Sequence, residues 1–188
     1  MTATYHLPVQ KLSSDLIREL QEKYPGAQVE VNVRRGEQPN HTTEDLFWEL
    51  IGSLDWSRED DDQAVLQPLI QRLAALPVQF IYGFQDVLSE KLFALDGQRF
   101  AEQIGEDAYV PGKFFSVDNF LYARCCVVAN GKEAFEKVLA NAQEMPKDLT
   151  FEALLTVAPK AYKLKTGKRF QYLPAFNYET FSNEAAWD

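Results

Sequence analysis

Apolar positions recur with helical spacing along most of the chain after residue 43. The clearest stretch is residues 116–139, SVDNFLYARCCVVANGKEAFEKVL, in which Ser116 is placed to cap a helix. Asn130 and Gly131 are placed to end it, because either can adopt the left-handed backbone conformation. Apolar side chains occupy nearly every face between these ends, which is typical of a central helix. We therefore expect Arg124, the one cation in its middle, to be partly buried.

The same periodicity predicts further helices on both sides of this stretch. Thr42 or Thr43 is placed to cap the first of them. Pro68 must bend or begin the second, and Pro77 suits the first turn of the third. The predicted helices cover residues 43–51, 62–76, 77–95, 117–130, 132–142, 151–158 and 159–167, the last one restarted by a proline and ended by a glycine.

The first 36 residues follow a different pattern. Residues 28–34, QVEVNVR, alternate apolar and polar side chains as a half-buried strand does, and residues 4–10, TYHLPVQ, predict a short strand. A helical segment lies between them, so the pattern predicts a β-α-β leader, to which residues 169–174, RFQYLP, could lend a strand. The predicted fold class is α+β, mostly α. It comprises a leader at 1–36 packed on a helical domain of six or seven helices at 43–170, and an irregular tail at 171–188.

Charge and composition limit the binding partners and the cellular compartment that we expect for the protein. The chain has 28 acidic and 19 basic residues and a net charge of −9, which disfavours nucleic acid and anionic membranes and suits a basic partner. Two adjacent cysteines do not make a disulfide framework, and no apolar run is long enough to span a membrane. The start lacks the basic and apolar regions of a signal peptide. We expect a cytoplasmic protein.

Several chemistries lack their sequence patterns. His6 and His41 are the only histidines, and neither has a cysteine or histidine at zinc spacing. Glycine-rich phosphate loops are missing, and the acidic run 59–62 lacks the spacing of a calcium loop. We therefore predict no catalytic residue, no metal site and no cofactor.

Two charged segments are candidate partner surfaces, although a solvated helix end explains either of them. The basic segment, residues 160–172, carries interleaved aromatic side chains, so the alternatives are pairing with the acidic region inside the fold, a protein partner, or nucleic acid. The candidate partner-surface residues are Glu59, Asp60, Asp61, Asp62, Lys163, Lys165, Lys168 and Arg169.

Arg124 allows two interpretations, because a buried guanidinium needs a carboxylate or several carbonyls. It could form an internal ion pair with an acid from a distant part of the chain, or it could face an anion in a pocket beside Trp48 or Tyr162. Cys125 and Cys126 are neighbours about 100° apart on a helix, so they cannot chelate one metal, and we expect them in the core.

Three segments of the chain form a recognisable set: FWELI at 47–51, SVDNFLYARCCVVANGKEAFEKVLAN at 116–141 and VAPKAYKLKTG at 157–167. Together they resemble one bacterial family, the domain of unknown function 4240 group, over about residues 43–170. Val117 and Cys126 depart from the family's pattern, which has an acid and a tryptophan there, so a ligand pocket built on that tryptophan would be altered. The matching residues are Trp48, Asp118, Phe120, Arg124, Gly131, Phe135, Tyr162, Thr166 and Gly167.

The resemblance implies a helical domain and no transferable enzyme activity. Some family members are attached to domains of regulator-like proteins, which implies an interaction role. The preferred hypothesis is a non-enzymatic, cytoplasmic, regulatory or immunity-like module whose acidic surface binds a basic protein. The alternative is a small-anion-binding protein or an enzyme, and its candidate binding residues are Trp48, Asp118, Arg124 and Tyr162.

Overall fold

A computed structural model describes residues 18, 22–25, 41–58 and 60–187 of the chain. The chain divides into two compact units, Met1–Gln38 and Pro39–Asp188. In the first unit residues 18, 22 and 23 are helical, inside the leader's predicted helix. The leader's two predicted strands lie outside the described residues.

The described part of the second unit is built from helices alone. The described residues form seven α-helices and four short 3₁₀ helices, the latter at Trp56–Arg58, Ala142–Glu144, Glu152–Thr156 and Glu184–Ala186. The α-helices are α1 His41–Ile51, α2 Asp62–Ala75, α3 Val78–Ala94, α4 Gln98–Ala101, α5 Val117–Ala129, α6 Lys132–Ala140 and α7 Val157–Thr166.

The predicted α+β fold class is therefore wrong for the residues that the structure describes, which hold helices and no strand. The segment expected to lend a strand, residues 169–174, is irregular. Its aromatic side chains explain why: Tyr172 stacks on Tyr82 of α3 with ring centroids 4.6 Å apart, and Phe170 lies 5.4 Å from Tyr162 of α7. Its β-type composition reflects packing on helices, because strand propensity mainly measures side-chain burial on a surface.

Local signals set most of the helix ends. The hydroxyl of Ser116 accepts a hydrogen bond from the Asn119 amide at 3.2 Å and caps α5, as predicted. The stop after α5 also follows the prediction, because Gly131 has a φ of +94°, which favours glycine. The predicted cap of α1 is wrong, since this helix begins at His41 and Thr43 lies inside it.

Prolines lie where a helix tolerates them. Pro77 directly precedes α3, and Pro159 occupies the first turn of α7, where its missing N–H is not needed. Pro68 lies inside α2, which continues through it to Ala75. Residues 151–158, predicted as one helix, instead form the 3₁₀ turn Glu152–Thr156 and the start of α7.

The core forms around α3 and α5. Nearly every residue of α5 from Phe120 to Ala129 is buried, which confirms the prediction of a buried helix. Helix α3 is central among the α-helices, because it contacts α1, α2, α5 and α7. Residues 172–187, here called the C-terminal segment, cross the end of α3 and the start of α5, and this contact positions the site described next.

Candidate functional site

Arg124 is the largest fully buried side chain of the described residues, with 0% of its surface exposed. Its guanidinium lies over the ring of Phe120, 4.7 Å from the ring centroid. Nη1 donates to the carbonyl oxygen of Leu92 at 2.8 Å, and Nη2 donates to the hydroxyl of Thr180 at 2.9 Å. The partners of Arg124 are therefore a helix carbonyl and the C-terminal segment.

The Leu92 carbonyl belongs to the last turn of α3, where four carbonyls have no partner within the helix. Arg124 therefore caps this helix end and places a cation near the negative end of its dipole. The predicted ion pair with a distant acid is wrong for the described residues, in which no carboxylate lies within 4.0 Å of the guanidinium.

Burial lowers the pKa of Arg124 from 12.5 to about 10, although the negative charges of Asp96 and Glu179 oppose this shift. The side chain remains a cation at neutral pH, since 7 lies well below 10. Nε of Arg124 is buried and has no hydrogen-bond partner within the described structure. The Nε–H group of the guanidinium is therefore a donor without an acceptor among the described residues.

Asp96 holds the C-terminal segment from the other side. This residue, between α3 and α4, is 0% exposed. Its carboxylate accepts hydrogen bonds from the Phe181 amide at 3.2 Å, the Asn183 amide at 3.0 Å and the indole N–H of Trp187 at 3.0 Å. Asn183 in turn donates to the carbonyl of Phe93 at 3.2 Å, so it also caps the end of α3. Sequence reasoning missed Asp96, whose setting between a helix end and Gly97 looks like an exposed turn.

A second aspartate anchors the start of the segment. Asp86 of α3 accepts from the hydroxyl of Tyr172 at 2.6 Å and from the Ala175 amide at 3.0 Å. Burial raises the pKa of Asp86, while these two hydrogen bonds oppose the rise. Burial, together with the hydrogen bond to Asp86, also raises the pKa of Tyr172. Asp86 was likewise missed, because its position in an amphipathic helix carries no signal of burial.

Trp48 belongs to a different cluster, which joins α1, α3 and α6. Its indole N–H donates to Glu44 at 3.1 Å, and its ring lies 5.5 Å from that of Phe135. Glu44 pairs with the buried Lys91 at 2.9 Å. Burial alone would raise the pKa of Glu44, but the hydrogen bonds from Lys91 and Trp48 hold it below its usual value. Trp48 thus supports an ion pair between helices.

The other two predicted binding residues lie elsewhere. Tyr162 of α7 packs against Tyr82 and Phe170. Asp118 is exposed in the first turn of α5, where a negative charge is favourable. Two surface cavities of about 410 and 300 Å³ contain none of Trp48, Asp118, Arg124 and Tyr162.

Both cysteines are free and buried, as predicted for core residues. Burial raises the pKa of the Cys125 thiol from 9.0 to about 12, and burial also raises that of Cys126. A nucleophilic cysteine needs a lowered pKa and access to solvent. This pair has neither property.

The acidic run begins α2 and remains exposed. Asp61 caps this helix by accepting from the amides of Gln63 and Ala64 at 3.0 and 3.2 Å. Asp60 and Asp62 are exposed, and no cation of the described residues lies within 4.0 Å of either. The predicted Glu59 lies outside the described residues.

A surface recess of about 300 Å³ adjoins this run. A hydrogen bond from the Ser57 hydroxyl holds the pKa of Asp55, on its rim, below the usual range. The acidic recess, as this site is called below, is lined by Asp55, Arg58, Ala64, Gln67, Pro68 and Gln71.

The basic candidates are exposed at the end of α7 and just after it. Lys165 donates to the carbonyl of Ala74, at the end of α2, at 3.1 Å. Lys160 donates to Gln63, which brings the two charged segments beside each other, yet no ion pair joins them within the described part of the chain. The exposed predicted residues are Lys163, Lys165, Lys168 and Arg169.

The described residues contain no group of three histidine, cysteine or acidic side chains that could hold a metal ion. None of their helices combines the length and the apolar character that a membrane span requires.

Comparison with known proteins relates the chain to a protein family. No curated protein and no solved structure matches the chain. The model of a family described as "Protein of unknown function (DUF4240)" matches residues 42–164. This range includes all but the first residue of α1, the whole of α2 to α6 and most of α7, and it excludes the C-terminal segment. Since the match covers well over half of the 188 residues, the chain belongs to the DUF4240 family.

Proposed function

We propose that the protein is a bacterial, cytoplasmic interaction module that binds a basic protein partner through the acidic recess and the carboxylates beside it. The observation that carries this proposal is that Asp60 and Asp62, next to the recess, are exposed and have no cation of the described residues within 4.0 Å. Glu49, by contrast, already pairs with Arg72 at 2.5 Å. The carboxylates beside the recess remain available to a partner.

The recess suits an arginine or lysine side chain. Asp55, which lies 3.7 Å from Arg58, offers a carboxylate that is ionised at neutral pH, and Gln67 and Gln71 of α2 offer amide oxygens. A planar guanidinium donates five hydrogen bonds in a fork that matches such oxygens. Pro68 gives the aliphatic stem of the partner's side chain an apolar surface.

The whole chain favours the same class of partner. A net charge of −9 attracts a basic protein at long range and speeds its association. Buried Arg124 is covered by Thr180 of the C-terminal segment, so it offers no open anion pocket in this arrangement. The interaction hypothesis therefore has the stronger support.

The test is affinity capture from the native bacterium with three matched proteins. One is the wild type, and one carries Asp55→Asn, Asp60→Asn and Asp62→Asn; Asp61 is left intact because it caps α2. The third carries the same change in net charge at distant exposed acids, by substitution of Glu102, Glu106 and Glu136 with glutamine.

We expect the wild type and the distant control to retain one basic protein that the recess variant loses, and higher salt to weaken its retention. Purified partner and module should then bind directly, with an affinity that the three recess substitutions reduce at least tenfold. Equal binding by the recess variant and the distant control would refute the proposal, as would an acidic partner.

A further inference from the structure

The C-terminal segment lies on the family domain as a bound peptide lies on its receptor. The domain recognises it largely through backbone groups: Asp96 accepts the amides of Phe181 and Asn183, and Asp86 accepts the amide of Ala175. Helices α3 and α5 supply fixed polar groups, while the segment has little regular structure of its own beyond the turn at 184–186.

Two side chains of the segment fill specific places. The hydroxyl of Thr180 accepts from Arg124 and donates to the carbonyl of Val117 at 2.7 Å. The ring of Trp187 packs among aromatic side chains of the domain and the segment, with centroids 4.4 to 6.2 Å away: Tyr109, Phe115, Phe120 and Phe181. The domain therefore makes specific contacts with a hydroxyl and an indole that lie seven residues apart in the segment.

The domain also leaves space for this occupant. A Cβ atom at Gly97 would lie 2.9 Å from the Cβ of Ala186, closer than real Cβ contacts allow. The family match ends at residue 164, before the segment begins, so the face beneath belongs to the family domain and its cover does not. Nε of Arg124, a residue that this segment covers, has no hydrogen-bond partner among the described residues.

We propose that the face formed by Asp86, Asp96, Gly97 and Arg124 is a peptide-binding groove, occupied here in cis by the chain's own C-terminal segment. The partner that fits it is an extended segment with a hydroxyl opposite Arg124, backbone amides opposite Asp96 and a tryptophan in the aromatic cluster. The C-terminal segment is its built-in competitor. This groove is separate from the acidic recess, and it stands whether or not that surface binds a basic protein.

The test uses the whole chain, opened at one bond. A cleavage site for a specific protease is inserted between Gly167 and Lys168, after the left-handed cap of α7. Both residues are exposed, so cleavage needs no unfolding. After cleavage, the nicked protein is mixed with an excess of a fluorescent peptide of residues 168–188. Exchange is followed by fluorescence anisotropy, and the fold by circular dichroism.

We expect the nicked protein to keep its helical signal and the labelled peptide to replace the resident segment. A peptide with Thr180→Ala and Trp187→Ala should bind at least tenfold more weakly, because it lacks the hydroxyl and the indole. A matched peptide with Phe176→Ala should bind much like the native one, since Phe176 is exposed and its one ring pair among the described residues is with Phe93.

Three outcomes would overturn the proposal. The nicked protein could lose its helical signal, which would make the segment an integral part of the core. The resident segment could fail to exchange over days, or the doubly substituted peptide could bind as tightly as the native one. Binding of the basic partner is measured on the nicked protein as well. If that binding is unchanged, a failure of the groove proposal does not bear on the acidic recess.

Discussion

Replacing Arg124 with methionine removes a buried charge while keeping a long, flexible side chain in the same space. The substitution has two opposing effects on the free energy of unfolding. It relieves the cost of burying a cation that has no carboxylate within 4.0 Å among the described residues. It also removes the hydrogen bonds that Arg124 donates to Leu92 and Thr180.

The relief can be estimated from the pKa of Arg124. Burial lowers it from 12.5 to about 10, so the folded state disfavours the charged side chain by roughly 3 kcal/mol relative to the unfolded chain. Methionine carries no such penalty, and its thioether adapts well to an irregular core position. This term alone would make the variant more stable than the wild type.

The stabilising interactions that Arg124→Met removes contribute a free energy of similar size. The Leu92 carbonyl would be left buried without a donor, which costs about 1–3 kcal/mol, and the C-terminus of α3 would lose a cation worth up to about 2 kcal/mol. Thr180 keeps its bond to the Val117 carbonyl. We therefore expect the free energy of unfolding of Arg124→Met to lie within about 2 kcal/mol of the wild-type value. The free energy of unfolding of Arg124→Ala should lie at least about 2 kcal/mol below that of Arg124→Met, because alanine also leaves a cavity.

The assay is urea unfolding at pH 7, followed by far-ultraviolet circular dichroism, for the wild type and both variants. Hydrogen exchange of the C-terminal segment measures the local effect, which should be faster exchange in both variants, since Thr180 loses Arg124. A methionine variant as unstable as the alanine variant would refute the reasoning, because the charge itself would then hold the fold together.

Three further predictions use other parts of the structure. Lys91→Met should lower the free energy of unfolding by about 1–3 kcal/mol, because it leaves Glu44 without its cation. In a double-mutant cycle, adding Glu44→Gln should recover at least half of this loss, and simple additivity of the two substitutions would contradict the prediction. Gly97→Ala should make the C-terminal segment more sensitive to proteolysis, because the new Cβ would lie 2.9 Å from a side-chain carbon of that segment. The control Gly52→Ala, whose Cβ would lie 3.5 Å from its nearest atoms, should leave this sensitivity unchanged. The pKa of Cys125 is raised from 9.0 to about 12, so the folded state holds this proton more tightly: the stability it contributes is intact below pH 9 and is lost as the pH rises towards 12. Cys125→Ala should flatten the fall in urea midpoint between these pH values, and an unchanged slope would contradict the prediction.

The helices were predictable because their signals are local. Ser116 and Gly131 mark the ends of α5 in any context, and the apolar faces between them predict burial of Arg124. The family resemblance was predictable for the same reason, since it depends on short motifs within α1, α5 and α7.

The partners of Arg124 were not predictable, because they are set by long-range geometry. The prediction looked for an acid, since a buried cation has few alternatives in sequence terms. The structure uses the carbonyl of Leu92 instead, at a helix end that points at the guanidinium, and Thr180 from 56 residues away. Backbone carbonyls exist at every position and leave no mark in the sequence.

The aromatic tail was also misread. RFQYLP resembles a strand because tyrosine and phenylalanine suit a half-buried surface, and this preference does not tell a sheet from the side of a helix. The stack of Tyr172 on Tyr82 supplies that surface here. The candidate binding residues Trp48 and Arg124 are motif positions with separate structural roles, one supporting the Lys91–Glu44 pair and the other capping α3.

Arg124 and Asp96 together dock the C-terminal segment on the helical domain. Hydrogen exchange at the backbone amides of Phe181 and Asn183, both bonded to Asp96, measures this most directly. In the wild type we predict exchange at least about 100-fold slower than in an unstructured peptide, and loss of this protection in Asp96→Asn. Exchange at the unstructured rate in the wild type would contradict the account.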